Sequence, residues 1–556
     1  MDRRTLTAIV LSFVLLTAFQ FYMAWKYPPA ELTGEQVQSG ESSAPAPLAS
    51  TAPVADALPP PVEGMAGSAP QQAMSQPLIN TDAKSLLHFK NDLVEGSLSL
   101  QGGRLVGMDF LQHTDVLGGK PISFMGISQV ESFYQESGFL PVAGSAIKAP
   151  DANTQWQLIG KESLQGAGEF KLVWDNGEGI VFEKLFSFAQ GSYLFKVEDR
   201  LINNSAAALG VYHYSQFKRI PVINSQSMLA MSDFQGPMAY LNGERYQHSY
   251  EDLTAQDLRE KGHGGWTGFS DKYFLAAMVA KPLPPEAQPR RYYFDYDRPN
   301  YRVGMVENSV IIPAGQSLAV DYDLFIGPKE ISTLERSNLS LERSIDYGWF
   351  HFLAEPLVKV LNFFNSVVHN YGVAIILLTL AIKLLFFPLA NKSYRSMNAM
   401  KKLQPKIEEL KKLHGSDRNK MNEAMMKLYQ THKVNPLGGC LPILVQIPVF
   451  FALYKVLFLS VEMRHAPFML WIPDLSAMDP FYVLPLLMGG SMFLQSKLNP
   501  TPSDPMQAKI MMFLPVIFTV MFLSFPSGLV LYWLVNNVLS ISQQYYIMKK
   551  MEHEPS

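Results

Sequence analysis

Residues 373–389 read VAIILLTLAIKLLFFPL, and this apolar run decides the fold class. As a helix it would be about 26 Å long, which is close to the ~30 Å hydrocarbon layer of a membrane. Lys383 lies near the middle of the run. A charge at such a depth costs ~2.5–3.5 kcal/mol on insertion scales, so intramembrane ionisable residues usually face water or a partner. Lys383 therefore predicts a water-accessible interior, the alternative being a side chain that reaches back to the membrane surface.

Five further apolar segments bring the predicted membrane spans to six: residues 5–25, 440–459, 481–494, 510–525 and 529–547. Residues 1–27 form a predicted N-terminal anchor, because Arg3 and Arg4 precede its apolar segment and no small-residue cleavage site follows it. The loop 391–436 has eleven Lys or Arg against four acids, whereas the loop 462–480 has one against three. Because basic loops remain in the cytoplasm, both termini are predicted to be cytoplasmic.

The composition excludes several classes of function. Of 556 residues, 48% are hydrophobic and 17% charged, whereas a soluble domain has roughly 25% charged residues. Lys plus Arg total 46 and Asp plus Glu total 49, a difference of −3, so no direct nucleic-acid recognition is expected. Cys440 is the single cysteine, which excludes an internal disulfide and any multi-cysteine metal site. We therefore predict no metal, no cofactor and no catalytic site.

Between the first two predicted spans the chain contains a linker, a β-domain and one surface helix. Residues 28–77, rich in Pro, Ala and Ser, predict a flexible linker that cannot bury enough apolar surface to fold. Residues 78–340 contain short runs of period two, such as 180–188, which predict a large all-β sandwich outside the inner membrane. From 345 to 370 the period is three to four, which predicts an amphipathic helix on the membrane surface. A helix packed against the β-domain would have the same pattern.

Polar residues inside the predicted spans are candidates to line a wet groove. Thr379 lies one helical turn before Lys383. The others are Gln446, Ser491, Gln495, Ser524, Asn536, Asn537 and Ser540. Each one alone is more typical of a contact between helices. Together with the lysine they predict a hydrophilic, positively charged interior.

The basic loop 391–434 is predicted to be a cytoplasmic helical hairpin. Two apolar stripes are separated by residues 414–417, HGSD, which is typical of a helix end followed by a helix start. Four methionines are candidate contacts for substrate or ribosome: Met397, Met400, Met421 and Met425. The alternative is that they fill the core of the hairpin while its basic residues face solvent near anionic lipid.

Five short motifs carry a family resemblance. They read NPLGGCLP at 435–442, QIP at 446–448, DLS at 474–476, DP at 479–480 and FPSGLVLYW at 525–533. Together they closely resemble the YidC/Oxa/Alb family of membrane-protein insertases, in its Gram-negative form. The resemblance implies a five-helix core within 371–550 and a β-domain that is a β-supersandwich. A short tail, residues 551–556, would follow the core.

The resemblance also implies a function and roles for three residues. Members insert and fold inner-membrane proteins, alone or beside the Sec translocon, and they are not enzymes. The implied partners are nascent inner-membrane proteins, membrane lipids, the Sec translocon and, weakly, the ribosome. Lys383 stands where the family usually has a groove arginine, and Thr379 matches the groove threonine. Trp533 stands where the family has a substrate-contacting tyrosine.

Two other classes of function remain open at the level of the sequence. A secondary transporter would also have polar residues at mid-membrane, but neither an internal repeat nor paired ionisable residues are evident in the spans. The β-domain is also compatible with a glycan-binding or glycan-processing envelope protein. Its histidines have no spacing that singles out a reaction centre.

Overall fold

The computed structural model describes residues 85–553, apart from 129–130, 144, 146, 222–233, 415–417, 433, 435–440 and 499–504. The predicted anchor 1–27, the linker 28–77, Cys440 and the end of the tail lie outside the described residues. Strands between Leu86 and Pro328 come first, and helices then continue to His553. This order agrees with the predicted division into a β-domain and a helical part.

The β-domain contains two sheets, whose strands we number in chain order. The first comprises β1 (Leu86–Lys90), β2 (Val94–Ser99), β3 (Arg104–Thr114), β4 (Pro121–Ile127), β5 (Ser132–Pro141), β7 (Ser163–Gln165), β11 (Leu209–Ile220), β14 (Leu258–Gly262), β17 (Arg290–Asp297), β18 (Asn300–Val306) and β19 (Val310–Ile312). The second comprises β6 (Gln157–Ile159), β8 (Gly168–Asp175), β9 (Ile180–Phe188), β10 (Leu194–Asn203), β12 (Gly236–Leu241), β13 (Glu244–Gln247), β15 (Gly265–Ser270), β16 (Phe274–Ala280) and β20 (Ser317–Pro328).

The strands of each sheet are ordered by antiparallel hairpins and a few crossovers. The first sheet has the order β14-β17-β18-β11-β5-β4-β3-β2-β1-β7, with β19 paired to β11. The second has the order β13-β12-β15-β16-β20-β10-β9-β8-β6. Strand β9 alternates between buried and half-buried residues along its whole length, as its period of two predicts. The predicted all-β domain is confirmed.

Aromatic side chains fill the space between the two sheets. Phe89 on β1 packs against Phe186 on β9 with ring centroids 5.4 Å apart. Phe110 on β3 stacks on Phe274 of β16 at 4.8 Å. Each pair joins one sheet to the other, and each ring is buried. Burial of such rings is the main stabilising contribution of a sandwich core.

Two groups of buried charges also lie between the strands. Asp199 accepts hydrogen bonds from Lys184 at 2.6 Å and from His213 Nε2 at 2.8 Å. Glu136 accepts from Arg104 Nε at 2.7 Å and pairs with Lys218 at 2.9 Å. Because a buried charge without a partner is strongly destabilising, each carboxylate depends on its cationic neighbours.

The helices are likewise numbered in chain order. Two short helices belong to the β-domain, α1 (Tyr250–Ala255) and α2 (Ile331–Arg336). The helical part consists of α3 (His351–Val368), α4 (Tyr371–Leu385), α5 (Phe387–Lys402), α6 (Gln404–His414), α7 (Arg418–Thr431), α8 (Leu441–Leu459), α9 (Val483–Leu498), α10 (Pro505–Phe522) and α11 (Ser527–His553). Helix α11 packs against α4, α5, α8 and α9.

Helix α3 covers most of the predicted amphipathic segment 345–370. Its buried face carries Ala354, Val358 and Leu361, which recur every three or four residues and pack in the contacts with α4 and α8. Its uncovered side also carries apolar residues, since Phe352 is 69% exposed and Phe363 is 63% exposed, and the exposed ion pair of Glu355 and Lys359 lies beside them. The helix therefore carries apolar residues on two sides, one covered by protein and one uncovered.

The apolar run 373–389 is divided between two helices. Helix α4 ends at Leu385 and α5 begins at Phe387, with a bend of 66° between them. Pro388 lies in the first turn of α5, where a proline is tolerated. The prediction of one continuous helix over this run is wrong. Over the described residues, no single helix is both long enough and apolar enough to cross a membrane. The bent pair has the required length and composition only when its two helices are taken together, and 445–459 and 509–522 are apolar but shorter.

The basic loop 391–434 contains parts of three helices where the sequence analysis predicts two. Helix α5 carries the chain to Lys402, and α6 begins at Gln404, immediately before Pro405. A proline cannot donate the backbone hydrogen bond that a continuous helix would need. The hairpin proper is therefore formed by α6 and α7, which pack together.

Candidate functional site

A stripe of polar residues runs along α11. Asn536, Asn537, Ser540 and Gln544 follow one another at intervals of one, three and four residues, so they share a face of the helix. Asn537, Ser540 and Gln544 are each no more than 5% exposed. Ser540 Oγ donates to the carbonyl of Asn536 at 2.7 Å, one turn back along the same helix. The sequence thus places a buried polar stripe directly after an apolar segment of this helix, residues 529–535.

Lys383 reaches this stripe from α4. Its ammonium Nζ donates to Ser540 Oγ at 2.7 Å. Thr379, one turn earlier on α4, is buried, and its hydroxyl donates to the Ile375 carbonyl at 2.6 Å. Among the described residues, Lys383 has a hydroxyl and no carboxylate as its side-chain partner. The lysine is held in place without being neutralised.

Two further hydrogen bonds join α11 to other helices. Asn537 Nδ2 donates to Ser491 Oγ on α9 at 3.0 Å. The amide of Gln446 on α8 donates to the side-chain oxygen of Asn536. Helices α4, α8 and α9 therefore each make a polar contact with the same face of α11. We call this set the polar cluster: Lys383, Gln446, Ser491, Asn536, Asn537 and Ser540.

Three other predicted groove residues occupy different positions. Gln495 is half-buried one turn beyond Ser491 on α9. Ser524 is exposed in the turn before α11, and its hydroxyl donates to the Met521 carbonyl at 3.1 Å. Asn536 lies nine residues into α11, or about 14 Å along the axis. Ser524 therefore lies apart from the polar cluster, and Thr379 borders it with its hydroxyl satisfied by its own helix.

Trp533 lies at the side of the polar cluster, one turn before Asn536. Its ring meets Phe450 of α8 edge-on, with centroids 4.6 Å apart, and it lies 5.4 Å from Phe522 of α10. Within the described residues its indole N–H has no hydrogen-bond partner. The tryptophan thus provides an aromatic wall beside the polar side chains.

The four predicted methionine contacts separate into two groups. Met397 and Met400 lie on α5, and Met397 lines a small cavity with Tyr394 and the ends of α9 and α11. Met421 and Met425 lie on α7 of the hairpin, and both are half-buried. The structure therefore does not bring all four to one helix pair.

Two residues of this region are not among the candidates from the sequence. Tyr394 Oη lies 3.5 Å from the carbonyl of Ser540, and Gln544 Nε2 donates to the Leu498 carbonyl at 3.4 Å. Gln544 follows Ser540 by one turn, so the spacing of the stripe could have identified it. Tyr394 lies in the predicted cytoplasmic loop, where the sequence carries no comparable signal.

Apolar side chains cover the outer surfaces of α9 and α10. The large exposed ones are Leu486, Leu487, Phe493, Leu494, Ile510, Met512, Phe513, Leu514, Val516, Ile517, Val520 and Met521. Soluble monomers rarely expose large apolar patches, which mark contacts with a membrane or with another protein. In the described residues, no group of three or more His, Cys, Asp or Glu is arranged to hold a metal.

These features define a class of protein: a helical part with buried polar side chains and uncovered apolar faces, joined to a β-sandwich domain. A family model described as "60Kd inner membrane protein" matches residues 363–554, and one described as "YidC periplasmic domain" matches residues 86–360. A membrane protein insertase YidC of Geotalea daltonii is 38% identical over 99% of this chain and 100% of its own. One of Alkalilimnicola ehrlichii is 42% identical over 83% of this chain and 82% of its own. The chain belongs to the YidC family of membrane protein insertases.

A solved structure offers a further comparison. The crystal structure of an active YidC insertase with its first transmembrane domain resolved covers 84% of this chain and 93% of its own. The two sequences are 19% identical, and the TM-score is 0.38.

Proposed function

We propose that this protein inserts and folds proteins of the inner membrane, and that the polar cluster forms part of a hydrophilic, positively charged substrate groove. Membership of the insertase family supports the activity. The observation that supports the groove is the position of Lys383, whose ammonium donates a hydrogen bond to Ser540 between largely apolar helices. An ionisable residue in such surroundings is expensive, so its presence indicates a function that needs the charge.

The cluster lowers the barrier that a substrate meets on entering hydrocarbon. A substrate hairpin carries polar or acidic residues in the segment that must cross the membrane. Amide and hydroxyl groups from α8, α9 and α11 replace part of the water around those residues, and Lys383 attracts carboxylates. The groove is proposed to be lined by Lys383, Thr379, Gln446, Ser491, Gln495, Ser524, Trp533, Asn536 and Asn537. The transfer of the apolar substrate segment into lipid drives the process, so no nucleotide is required.

The uncovered apolar surfaces define how the helical core is proposed to sit in the membrane. We place the exposed faces of α9 and α10 in lipid, and the outer face of α3 at the membrane surface. The proposed topology has six spans with both termini in the cytoplasm. The β-domain then lies in the periplasm, as the basic cytoplasmic loop 391–436 supports.

The proposed partners follow from the same arrangement. Nascent inner-membrane proteins arrive on the cytoplasmic side, where two groups of methionines give adaptable apolar contacts: Met397 with Met400 on α5, and Met421 with Met425 on α7. The ribosome contacts this side weakly, and the Sec translocon receives or delivers some substrates. We expect insertion to proceed without nucleotide, metal or cofactor.

Reconstitution tests the proposal directly. Purified protein in lipid vesicles should insert a single-span protein without Sec components, and the inserted segment should become protected from external protease. The same vesicles should not gain permeability to sugars, amino acids or ions. Solute flux without insertion would contradict the proposal and favour a transporter.

A further inference from the structure

The turn between β3 and β4 presents apolar side chains to solvent. Val116 is 63% exposed and Leu117 is 55% exposed. Gly118, with φ of 73°, and Gly119 complete the turn, and Lys120 beside them is exposed. Turns at the surface are ordinarily polar, and a neighbouring Val and Leu at a turn tip therefore suggest a contact beyond the protein.

Two hydrogen bonds fix the base of this turn to the loop that follows α8. Arg464 donates through Nη2 to the Asp115 carbonyl at 2.7 Å, and His465 donates through Nε2 to the Thr114 carbonyl at 3.1 Å. The loop residue is itself held, because the backbone N–H of His465 donates to Asp474 Oδ1 at 3.1 Å. The turn is thus tied to the helical part rather than free on the β-domain.

The same loop caps the ends of several core helices. Asn370, which precedes α4, donates through Nδ2 to the Phe468 carbonyl at 2.8 Å. The backbone N–H of Gly528, at the start of α11, donates to the Leu475 carbonyl at 2.9 Å. Arg464 follows the end of α8 by only five residues. The turn between β3 and β4 therefore lies at the level where these helices end.

The capping loop is apolar on its exposed side as well. Met469 is 49% exposed and Leu470 is 86% exposed. Leu470 has a φ of 55°, a left-handed conformation that non-glycine residues rarely adopt. The exposed apolar surface of the turn therefore has a counterpart on the loop to which it is bonded.

We propose that the turn of residues 115–120 is a lipid contact, in which Val116 and Leu117 enter the headgroup region of the outer leaflet. This inference rests on the membrane placement given under the proposed function. An apolar pair beside a lysine suits that region, because the apolar groups meet the upper acyl chains and the ammonium meets lipid phosphate. The contact fixes the height of the β-domain above the bilayer.

The opposite end of the β-domain supplies a matched control. Strand β20 ends near the joint between this turn and the loop after α8, because Glu330 lies 4.0 Å from His113. Its twelve residues are separated by eleven steps of ~3.3 Å, so the strand spans roughly 36 Å. Asn203 donates hydrogen bonds to the carbonyls of both Ile312 and Gln316. Because Gln316 directly precedes β20, Ile311 lies near the start of that strand. Ile311 is 73% exposed. It is thus an aliphatic residue that is more exposed than Leu117 and lies far from the joint.

An environment-sensitive fluorophore on single cysteines tests the contact. In the full-length chain carrying Cys440→Ser, the substitutions Leu117→Cys, Ile311→Cys and, on α10, Val516→Cys would each be labelled. Each protein would be reconstituted in vesicles of phosphatidylethanolamine and phosphatidylglycerol. We expect a blue-shifted emission at positions 117 and 516. Spin-labelled lipid should partly quench the fluorescence at these two positions, and neither effect should appear at position 311.

The outcomes separate this inference from the proposed function. Quenching at 516 with none at 117 would overturn the lipid contact while leaving the membrane core intact. Equal quenching at 117 and 311 would overturn it too, because the contact would not be specific to the turn. No quenching at 516 would contradict the membrane placement, and the inference would fall with it.

Discussion

Lys383 and Ser540 are 157 residues apart in the chain, and the ammonium of the first lies 2.7 Å from the hydroxyl of the second. This bond joins α4 to α11, and the same hydroxyl donates to the carbonyl of Asn536. The serine thus fixes the position of the charge without neutralising it. A carboxylate in its place would have neutralised the ammonium and removed its attraction for acidic substrates.

Replacing Ser540 should reduce insertion without abolishing it. The substitution Ser540→Ala leaves the charge but removes its anchor, and a hydrogen bond to a charged group contributes about 1.5–3 kcal/mol. We expect slower insertion of acidic substrates and recovery with Ser540→Thr, measured by protease protection in membrane vesicles. Ser542 provides a control on the same helix, because its exposed hydroxyl donates only to the Val538 carbonyl. Equal losses for Ser540→Ala and Ser542→Ala would show that the bond has no role.

The β-domain should lose stability in acid. Burial raises the pKa of Glu136, but Lys218, Arg104 and the hydrogen bond from Gln216 outweigh it and hold the pKa at about 2. Burial also acts to raise the pKa of Asp199. The ammonium of Lys184 and the hydrogen bond from His213 outweigh this effect and lower that pKa. An unfolded Glu titrates near 4.3, so the stabilisation is present above that pH and is lost as the pH falls towards 2.

The measurement is the thermal unfolding midpoint between pH 7 and pH 2.5. Glu136→Gln should be less stable at pH 7, because Arg104 and Lys218 lose a buried partner, and its midpoint should depend less on pH. Glu95→Gln removes only an exposed pair with Lys90 and should change stability by about 0–1 kcal/mol. A wild-type unfolding midpoint that stays constant down to pH 2.5 would contradict the lowered pKa values of Glu136 and Asp199.

Removal of the β-domain should leave insertion largely intact. All residues of the polar cluster lie in α4 and later helices, so a deletion of residues 86–340 that keeps α3 retains the whole groove. Insertion by the deleted protein would be compared with that of the full chain at equal amounts in the membrane. Loss of insertion by a stably expressed deletion would show that the β-domain, which contacts the helical part at Arg464 and Asp115, is functionally coupled to it.

Nascent chains should meet the cytoplasmic helices before they meet the groove. Met400 and Met425 lie on α5 and α7, whereas Asn536 lies inside the core on α11. A photoreactive residue at position 400 or 425 should crosslink to ribosome-bound chains at shorter lengths than one at 536. Ile311, on the β-domain, is a control that should not react at those lengths. Reaction at 536 alone at the shortest lengths would assign the cytoplasmic helices a purely structural role.

Much of the fold could be predicted from the sequence because the period of the hydrophobic pattern matches the burial pattern of the folded elements. The alternation along 180–188 predicts a half-buried strand, and β9 has that burial pattern. The bend between α4 and α5 could not be read from hydropathy, because the apolar run continues across it. Pro388 is the local signal for that bend, since a proline fits the first turn of a new helix.

The pairing within the polar cluster could not be predicted. Spacing along α11 indicates that Asn536, Asn537 and Ser540 share a face, but it does not say which helices they meet. Their partners on α8, α9 and α4 are 90, 46 and 157 residues distant in the chain, respectively. The same limit applies to α3, because a helix with apolar residues on two sides does not reveal which side contacts protein.

The charge of Lys383 is the central claim, and reversing it is the most direct test. Two unit charges about 4 Å apart interact by about 4 kcal/mol at an effective dielectric constant of 20, and water in the groove reduces this further. For a substrate with an acidic translocated segment, we expect Lys383→Arg to retain insertion and Lys383→Glu to lower it at least about tenfold, which corresponds to ~1.4 kcal/mol. A substrate with a neutral segment should be affected less. Equal insertion of the acidic substrate by Lys383→Glu and the unchanged protein, at equal amounts in the membrane, would contradict the account.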